Sequence, residues 1–206
     1  MLLHPQDLSV RDTHKILTGT IVPRPIAWIS SWGLDSGGQQ IVNLAPFSYF
    51  NGAASKPALV TVAISNREPA KDTLRNLRRH GEAAISIVPE QLRKQMDQSA
   101  AQYAPTESEA VRLSLQMVPV DGVSVPGVAE SPVRFGCVVH RQIPLGDEVY
   151  GSTLVVFEVR SIYVDDAAVD DQLHVDVMQL APVARLAGSG YASVHRPVIL
   201  QREPIA

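Results

Sequence analysis

The chain has 206 residues, of which 45% are hydrophobic and 19% are charged, proportions typical of a globular protein with one buried core. A net charge of −3 without a dense basic block argues against a nucleic-acid partner. The single cysteine excludes an internal disulfide, and the absence of clustered Cys and His residues argues against a structural zinc site. No apolar run approaches the ~20 residues of a membrane helix. We therefore expect one cytoplasmic domain over residues 1–206, with a core at about 10–190, a tail at 191–206 and no secretory signal.

Short strands dominate the predicted secondary structure. Fifteen prolines and thirteen glycines divide the sequence into segments, several of them rich in Val, Ile and aromatic residues. Turn-forming residues at 33–38 and 144–148 predict hairpin loops. The alternation of apolar and polar residues is imperfect, which is typical of strands buried on both faces. The predicted strands are 26–31, 40–44, 58–65, 83–88, 133–143 and 153–163.

The clearest helix is predicted over 72–80. Leu74 and Leu77 are spaced to face a core, and Gly81 supplies a stop signal. Asp72 is the expected N-cap, because short acidic side chains accept hydrogen bonds from the first turn.

A second helix is predicted over 89–101, where a proline stands at the start and apolar residues recur at i, i+4 and i+8. A third, short helix is predicted over 107–115, and 118–131 is expected to be a loop with a short extended piece. Many strands with few helices between them do not form a doubly wound parallel sheet. An antiparallel barrel, closed or partly open, with helices at its rim fits this pattern.

The passage from strand 58–65 into helix 72–80 carries the most chemical information. A helix N-terminus presents backbone N–H groups and a partial positive charge. Arg67 and Lys71 add two cations within a few residues, and Ser65 and Thr73 add hydroxyls. Such a set suits a phosphate, so the sequence indicates a protein that binds a phosphorylated small molecule without a Gly-rich loop.

Three motifs in order extend this interpretation: VPRPIAWIS at 22–30, NLAPFSYFN at 43–51 and KDTLRN at 71–76. Together they resemble the flavin reductase-like, FMN-binding split-barrel family, which includes flavoredoxins and the reductase components of two-component monooxygenases. The resemblance covers about residues 10–190. It implies a mainly β, six-stranded Greek-key split barrel with rim helices. It also implies a homodimer with FMN at or near the dimer interface.

The resemblance also assigns FMN-binding residues by position in these motifs. Main-chain groups and a hydroxyl suit the flavin ring because they bond without adding charge, and Asn43 suits either the ring or the ribityl chain. Cations with hydroxyls suit the phosphate, and one phosphate site favours FMN over FAD. The ring group is Asn43, Ala45, Pro46, Phe47 and Ser48; the phosphate group is Ser65, Arg67, Lys71, Asp72 and Thr73. No catalytic side chain and no metal ligand is assigned, because the cofactor carries the chemistry.

The implied activity is hydride transfer from NADH or NADPH to the flavin, which then supplies a monooxygenase or another redox partner. A nicotinamide-binding Gly-x-Gly-x-x-Gly motif is neither needed nor present, since Gly37 and Gly38 lie in a hairpin loop. A second hypothesis is an FMN-binding electron carrier, flavoredoxin-like, without nicotinamide turnover. A third is a structural dimer that has lost flavin.

Some single residues keep two interpretations. Arg24, between two prolines, is equally compatible with a structural ion pair and a flavin contact. Tyr191 either stacks on flavin or packs at a dimer interface. Phe157, where many relatives carry glycine, fills either the barrel interior or the interface. Cys137 is expected to be a buried, inert thiol, and Trp28 a core residue.

Overall fold

The computed structural model describes residues 1–67 and 70–200. Its helices are α1 (Val10–Thr20), α2 (Asp72–His80), α3 (Arg93–Gln98), α4 (Glu109–Arg112) and α5 (Val177–Leu180). Its strands are β1 (Arg24–Pro25), β2 (Ala27–Leu34), β3 (Gln40–Phe47), β4 (Phe50–Ser55), β5 (Ala58–Ser65), β6 (Glu82–Ile87), β7 (Met117–Val118), β8 (Gly127–Val128), β9 (Val133–Leu145), β10 (Ser152–Val164), β11 (Val183–Arg185) and β12 (Tyr191–Ser193).

A seven-stranded antiparallel sheet organises the molecule, in the order β3-β2-β6-β9-β10-β5-β4. The β2–β3 and β9–β10 pairs are the two predicted hairpins, and the mainly β prediction is confirmed. The family resemblance implied six strands, and β4 is the additional one. Its sequence, FNGAAS, has little β propensity, and it forms because it pairs with β5 at the sheet edge.

Two apolar cores lie on the two faces of β2, as expected for a strand buried on both sides. Ala27 and Ile29 point into the first core, while Ile26 and Trp28 point into the second. The first core lies among β2, β5, β6, β9 and β10 and is covered by α2. The second lies between β2–β3 and the segments of α3, α4, β8 and β11. Trp28 is a core residue, as predicted, and its Nε1 donates to Ser99 Oγ at 2.9 Å.

Phe157 and Cys137 are both fully buried in the first core. Phe157 therefore occupies the barrel interior, which decides between its two interpretations. Burial raises the pKa of the Cys137 thiol to about 12, so the prediction of an inert thiol is confirmed.

Helix α2 has the predicted bounds because its inward face is apolar and its stop signal is strong. Leu74 and Leu77 are buried in the first core. Gly81 follows at φ 71°, a left-handed conformation that suits glycine, and its N–H donates to Leu77 O at 3.0 Å. The N-cap prediction was wrong by one residue: Lys71 is the N-cap, and Asp72 is the first helical residue.

The next two helices are shorter than predicted. The segment 89–101 forms a 3₁₀ turn, Glu90–Leu92, followed by α3, which ends where Ser99 Oγ donates to Met96 O. α4 occupies only the middle of 107–115, because Ser108 caps it and Ser114 has φ 53°. The loop predicted over 118–131 contains β8, which pairs with β7, so the short extended piece is confirmed.

Helix α1 was not predicted from the sequence, and its side chains all stay at least partly exposed. Arg24, which is 6% exposed, anchors the C-terminal end of α1 through hydrogen bonds. Its Nη1 donates to Thr18 O and Ile21 O at 2.6 Å, and its Nη2 donates to Leu186 O at 3.0 Å. Among the described residues Arg24 has no acidic partner. The guanidinium binds carbonyl oxygens instead.

Strand β11 pairs with β1 on one side and with β12 on the other, so regular structure continues into the first residues of the predicted tail. Tyr191 Oη donates to Asp97 Oδ1 at 2.6 Å, and the Arg185 guanidinium lies 4.6 Å from the centre of its ring. Burial and the Asp97 bond raise the pKa of Tyr191 to about 12. Within the ranges that the structure describes, no helix is long and apolar enough to cross a membrane.

Candidate functional site

The structure brings the two predicted groups of FMN-binding residues side by side. We call residues 43–48 the ring segment, and Ser65, Arg67, Lys71, Asp72 and Thr73 the phosphate corner. Two hydrogen bonds join the regions: Thr73 Oγ1 donates to Asn43 Oδ1 at 3.0 Å, and the N–H of Ala63 in β5 donates to Tyr49 O at 2.9 Å, just after the ring segment. Residues of β3 and α2 that are 30 positions apart in the sequence are thus in direct contact.

The phosphate corner begins where β5 ends. Ser65 is half-buried, and its Oγ accepts from the Arg67 N–H at 3.4 Å. Asn66 anchors the chain here, since its N–H donates to Gly151 O at 3.1 Å and its Oδ1 accepts from Thr153 Oγ1 at 2.8 Å. Residues 68–69, in the passage from β5 to α2, lie outside the described residues.

Helix α2 supplies the other side of the corner. The side chains of Arg67 and Lys71 are exposed, and Lys71 O accepts from the N–H groups of Leu74 and Arg75 at 3.0 and 3.2 Å. Asp72 pairs with Arg75 one turn along the helix. The corner therefore combines two exposed cations, the Ser65 hydroxyl and a helix N-terminus, which is a donor set that fits a phosphate dianion.

The ring segment is the last part of β3 and the residue after it. Ala45, Pro46 and Phe47 pair with β2, and they are half-buried together with Ser48. Ser48 Oγ lies 3.4 Å from Arg24 Nε, which donates to it. A half-buried strand end with a fixed backbone fits the edge of a planar ring, because its main-chain groups are already oriented.

Asn43 and Thr73 differ from the other predicted residues, because their side chains are 5% and 1% exposed and bond inside the protein. Asn43 Oδ1 accepts from Ser31 Oγ at 3.1 Å and from Thr73, and its Nδ2 donates to Glu109 Oε1 at 2.8 Å. Asn76 Nδ2 in turn donates to Ser31 Oγ at 3.1 Å. These five residues form a buried polar cluster, which we call the Asn43 network.

Glu109 is the charged end of this network, and the sequence analysis assigned it no role. Its Oε2 accepts from the Leu44 N–H at 2.8 Å. Burial raises the pKa of Glu109 above its ordinary value of 4.5, although the bonds from Leu44 and Asn43 act in the opposite direction and the nearby Asp72 charge adds to the increase. No motif marks this residue, since a glutamate early in a short helix is usually exposed.

A cleft of about 300 Å³ lies on another side of α2, against the end of β2. Its lining residues are Trp32, Gly33, Leu34, Arg75, Asn76, Arg79, His80, Pro105 and Thr106. None of the ten predicted FMN-binding residues lines this cleft, so it is separate from the surface formed by the ring segment and the phosphate corner.

Two further histidines lie near carboxylates in the part of the chain that the structure describes. His140 Nδ1 lies 3.9 Å from Glu158 Oε2, and His174 Nδ1 lies 3.1 Å from Asp170 Oδ2 on the exposed surface. Among the residues that the structure describes, no group of three or more His, Cys, Asp or Glu side chains is arranged to hold a metal ion.

The family model described as "Flavin reductase like domain" matches residues 18–179, most of the chain. The chain belongs to the flavin reductase-like family. An uncharacterized Bacillus subtilis protein, YwrF, is 35% identical over 205 residues, covering 98% of each chain.

Solved structures agree with this assignment. Nitrilotriacetate monooxygenase component B from Bacillus cereus is 33% identical, with a TM-score of 0.89 over 97% of this chain and 98% of that chain. The Pseudomonas fluorescens 2-nitrobenzoate 2-nitroreductase NbaA is 26% identical, with a TM-score of 0.85 over 98% and 96%. The family and split-barrel predictions are confirmed, and family membership indicates a flavin-linked oxidoreductase.

Proposed function

We propose that this protein binds FMN and catalyses its reduction by NADH or NADPH, supplying reduced flavin or electrons to a partner. The observation that carries the proposal is the hydrogen bond between Thr73 and Asn43, which places a cationic helix N-terminus beside a half-buried strand end in a flavin reductase-like chain. A phosphate and a planar ring of one ligand need these two environments next to each other.

In this proposal the residues of the chain bind and orient the ligand. Arg67, Lys71, Ser65 and the first turn of α2 hold the phosphate, while the main chain at Ala45–Ser48 holds the ring edge. Asn43 and Thr73 support these groups from behind, because their side chains are committed to the buried network. Bound FMN supplies a ring that accepts a hydride from nicotinamide.

The residues of the chain supply position rather than acid–base chemistry. The residues assigned to the ring include no histidine, cysteine or carboxylate, and Cys137 is buried with a pKa of about 12. The main contribution of the protein is a rigid surface that keeps one face of the ring accessible to nicotinamide at a contact distance of about 3–3.5 Å.

The partner and the assembly are parts of the same proposal. One structural neighbour is a component of a monooxygenase and another is a nitroreductase, so a partner oxygenase and a nitroaromatic acid are the first electron acceptors to test. We also propose a homodimer, because large apolar side chains are exposed along and beside the β9–β10 hairpin. Ile143, Leu145, Val149 and Tyr150 lie in the hairpin, and Tyr49 lies just before β4. Light scattering during gel filtration tests the dimer, and cell fractionation tests a cytoplasmic location.

Two measurements on the purified protein test the activity. The absorption spectrum is recorded before FMN addition, after it, and again after desalting; flavin bands that survive desalting establish bound cofactor. NADH and NADPH oxidation is then followed with and without added FMN. Rapid oxidation of either nucleotide supports the reductase. A yellow protein that ignores both nucleotides would be an electron carrier instead, and a colourless one whose melting temperature FMN does not change would refute flavin binding.

A further inference from the structure

The Asn43 network directly connects the two halves of the proposed FMN site. Thr73 and Asn76 belong to α2, the helix that begins at the phosphate corner. Ser31 belongs to β2, and Asn43 opens the ring segment. Glu109, on α4, ends the network. A ligand that spans the ring segment and the corner therefore spans two elements joined by these buried hydrogen bonds.

The hydrogen-bond roles of Asn43 and Glu109 fix each other. The carboxylate accepts one bond at each oxygen, from Asn43 Nδ2 and from the Leu44 N–H, both at 2.8 Å. Because Asn43 must present its NH₂ group to the carboxylate, its oxygen faces the two hydroxyls of Ser31 and Thr73. Removing the carboxylate leaves buried donors without acceptors, which is costly in a protein interior.

Helix α4 also covers the free edge of β3 immediately before the ring residues. β3 pairs with β2 on one side only, and α4 satisfies main-chain groups on the other side. Ser108 Oγ donates to Val42 O at 2.6 Å, and Glu109 accepts from the Leu44 N–H. The N-cap and the first residue of α4 thus bond to alternate residues of the strand and fix its position.

We propose that Glu109 is a positioning residue for flavin binding, which acts through Asn43 to set the separation between the ring segment and the phosphate corner. This inference rests on the proposed function. Contacts at the two ends of FMN add fully to its affinity only when the spacing of the two subsites matches the ligand. Riboflavin lacks the phosphate, so the ratio of its Kd to that of FMN measures how well the corner is aligned.

The test compares wild type with Glu109→Gln. A glutamine keeps the shape of the side chain, but it turns an NH₂ group toward either the Leu44 N–H or the Asn43 amide, and one bond of the network is lost. We expect the ratio of riboflavin Kd to FMN Kd, measured by quenching of flavin fluorescence, to fall about tenfold. Glu107→Gln is the matched control, because Glu107 pairs with Arg112 and takes no part in the network; its ratio should equal that of wild type.

Exchanging the amide of residue 43 and the carboxylate of residue 109 should restore the hydrogen bonds of the network. In the double variant Asn43→Asp/Glu109→Gln, the glutamine NH₂ donates to the new carboxylate, its oxygen accepts from the Leu44 N–H, and Ser31 and Thr73 again donate to residue 43. We expect the double variant to recover most of the ratio lost in Glu109→Gln, whereas Asn43→Asp alone places two carboxylates together and lowers it.

The outcomes separate the two proposals. A wild-type protein that binds neither flavin overturns the proposed function and this inference with it. If wild type binds FMN and Glu109→Gln lowers the melting temperature but leaves the ratio unchanged, Glu109 is merely structural and the inference fails alone. If Glu109→Gln does not fold, Ser31→Ala decides: a fall of about threefold in the ratio supports the inference, and an unchanged ratio overturns it.

Discussion

The ring segment and the phosphate corner sit side by side but are held in opposite ways. The ring segment lies on a strand paired with β2, and its first two residues, Asn43 and Leu44, bond to the buried Glu109. The corner presents Arg67 and Lys71, whose side chains are exposed. The fold thus determines the first region before a ligand arrives, while the second supplies charge on long side chains that lose rotamer freedom only when they bind.

This contrast separates stability from affinity. Substitutions that reach the buried side of α2 or the Asn43 network should change the free energy of unfolding. Substitutions of exposed cations at the corner should change the affinity for a phosphate and leave folding almost untouched, because exposed charges contribute little to stability.

The largest effect is expected for Leu74→Ala, which removes an apolar side chain from the buried face of α2. Leu74 is 1% exposed and packs in the first core between α2 and the sheet. Removing its side chain leaves a cavity, and we expect the free energy of unfolding to fall by about 3 kcal/mol. Urea denaturation measures this change. Arg78→Ala, on the exposed face of the same helix, is the control and should stay within about 0.5 kcal/mol; equal losses in both variants would mean that α2 is not held by its apolar face.

Lys71→Ala tests the exposed side of the comparison. Loss of one charge-assisted contact should weaken FMN about tenfold while leaving riboflavin binding unchanged. The free energy of unfolding should change by less than about 0.5 kcal/mol, because the Lys71 side chain makes no capping bond. Lys94→Ala, an exposed lysine on α3, controls for net charge. An equal loss of FMN and riboflavin would show that Lys71 acts elsewhere than on the phosphate.

Thr73 belongs both to the phosphate corner and to the Asn43 network. Thr73→Val tests whether its hydroxyl contributes to stability. Valine keeps the shape but removes the hydroxyl that donates to Asn43, so unfolding should become easier by about 1 kcal/mol. Thr106→Val, whose threonine is exposed, should have almost no effect. If Thr73→Val were as stable as wild type, the hydroxyl would not stabilise the Asn43 network, and its role would be assigned to the phosphate corner instead.

The parts of the fold that the sequence predicted are those with strong local signals. Strand β5 and helix α2 have the predicted bounds because half of the strand's residues are β-branched and the helix has an apolar face ended by Gly81. The hairpins of β2–β3 and β9–β10 follow from clustered turn residues. The proposed phosphate corner also rests on a local signal, since its residues are neighbours along the chain.

Structure that depends on distant partners was not predictable in this way. Strand β4 has almost no apolar pattern and exists because β5 offers it an edge. Helix α1 is amphipathic but buries no residue, so only its Ser9 N-cap marks it. The Asn43 network joins residues up to 66 positions apart, and Glu109 looks like an ordinary surface glutamate until α4 is seen packed on β3. Pairings of this range arise from topology, which local sequence patterns do not encode.

The smallest expected effect concerns pH and contrasts two carboxylates. Burial raises the pKa of Glu109, with Asp72 on α2 as the charged group acting on it, while bonds from the hydroxyl and N–H of Ser124 lower the pKa of Glu82. A raised pKa means that the native state binds the proton more tightly than the unfolded chain. The contribution of Glu109 to stability therefore increases as the pH falls through its native pKa toward 4.5, and that of Glu82 decreases as the pH falls below 4.5.

Urea denaturation of wild type, Glu109→Gln and Glu82→Gln across the mildly acidic range isolates each contribution by difference. Relative to Glu109→Gln, wild type should gain stability as the pH falls; relative to Glu82→Gln, it should lose stability. The same sign for both differences would contradict the contrast between a carboxylate buried in a network and one held at the surface by a serine. Because both variants remove one carboxylate, the change in net charge is matched, and the opposite signs depend only on where each group lies.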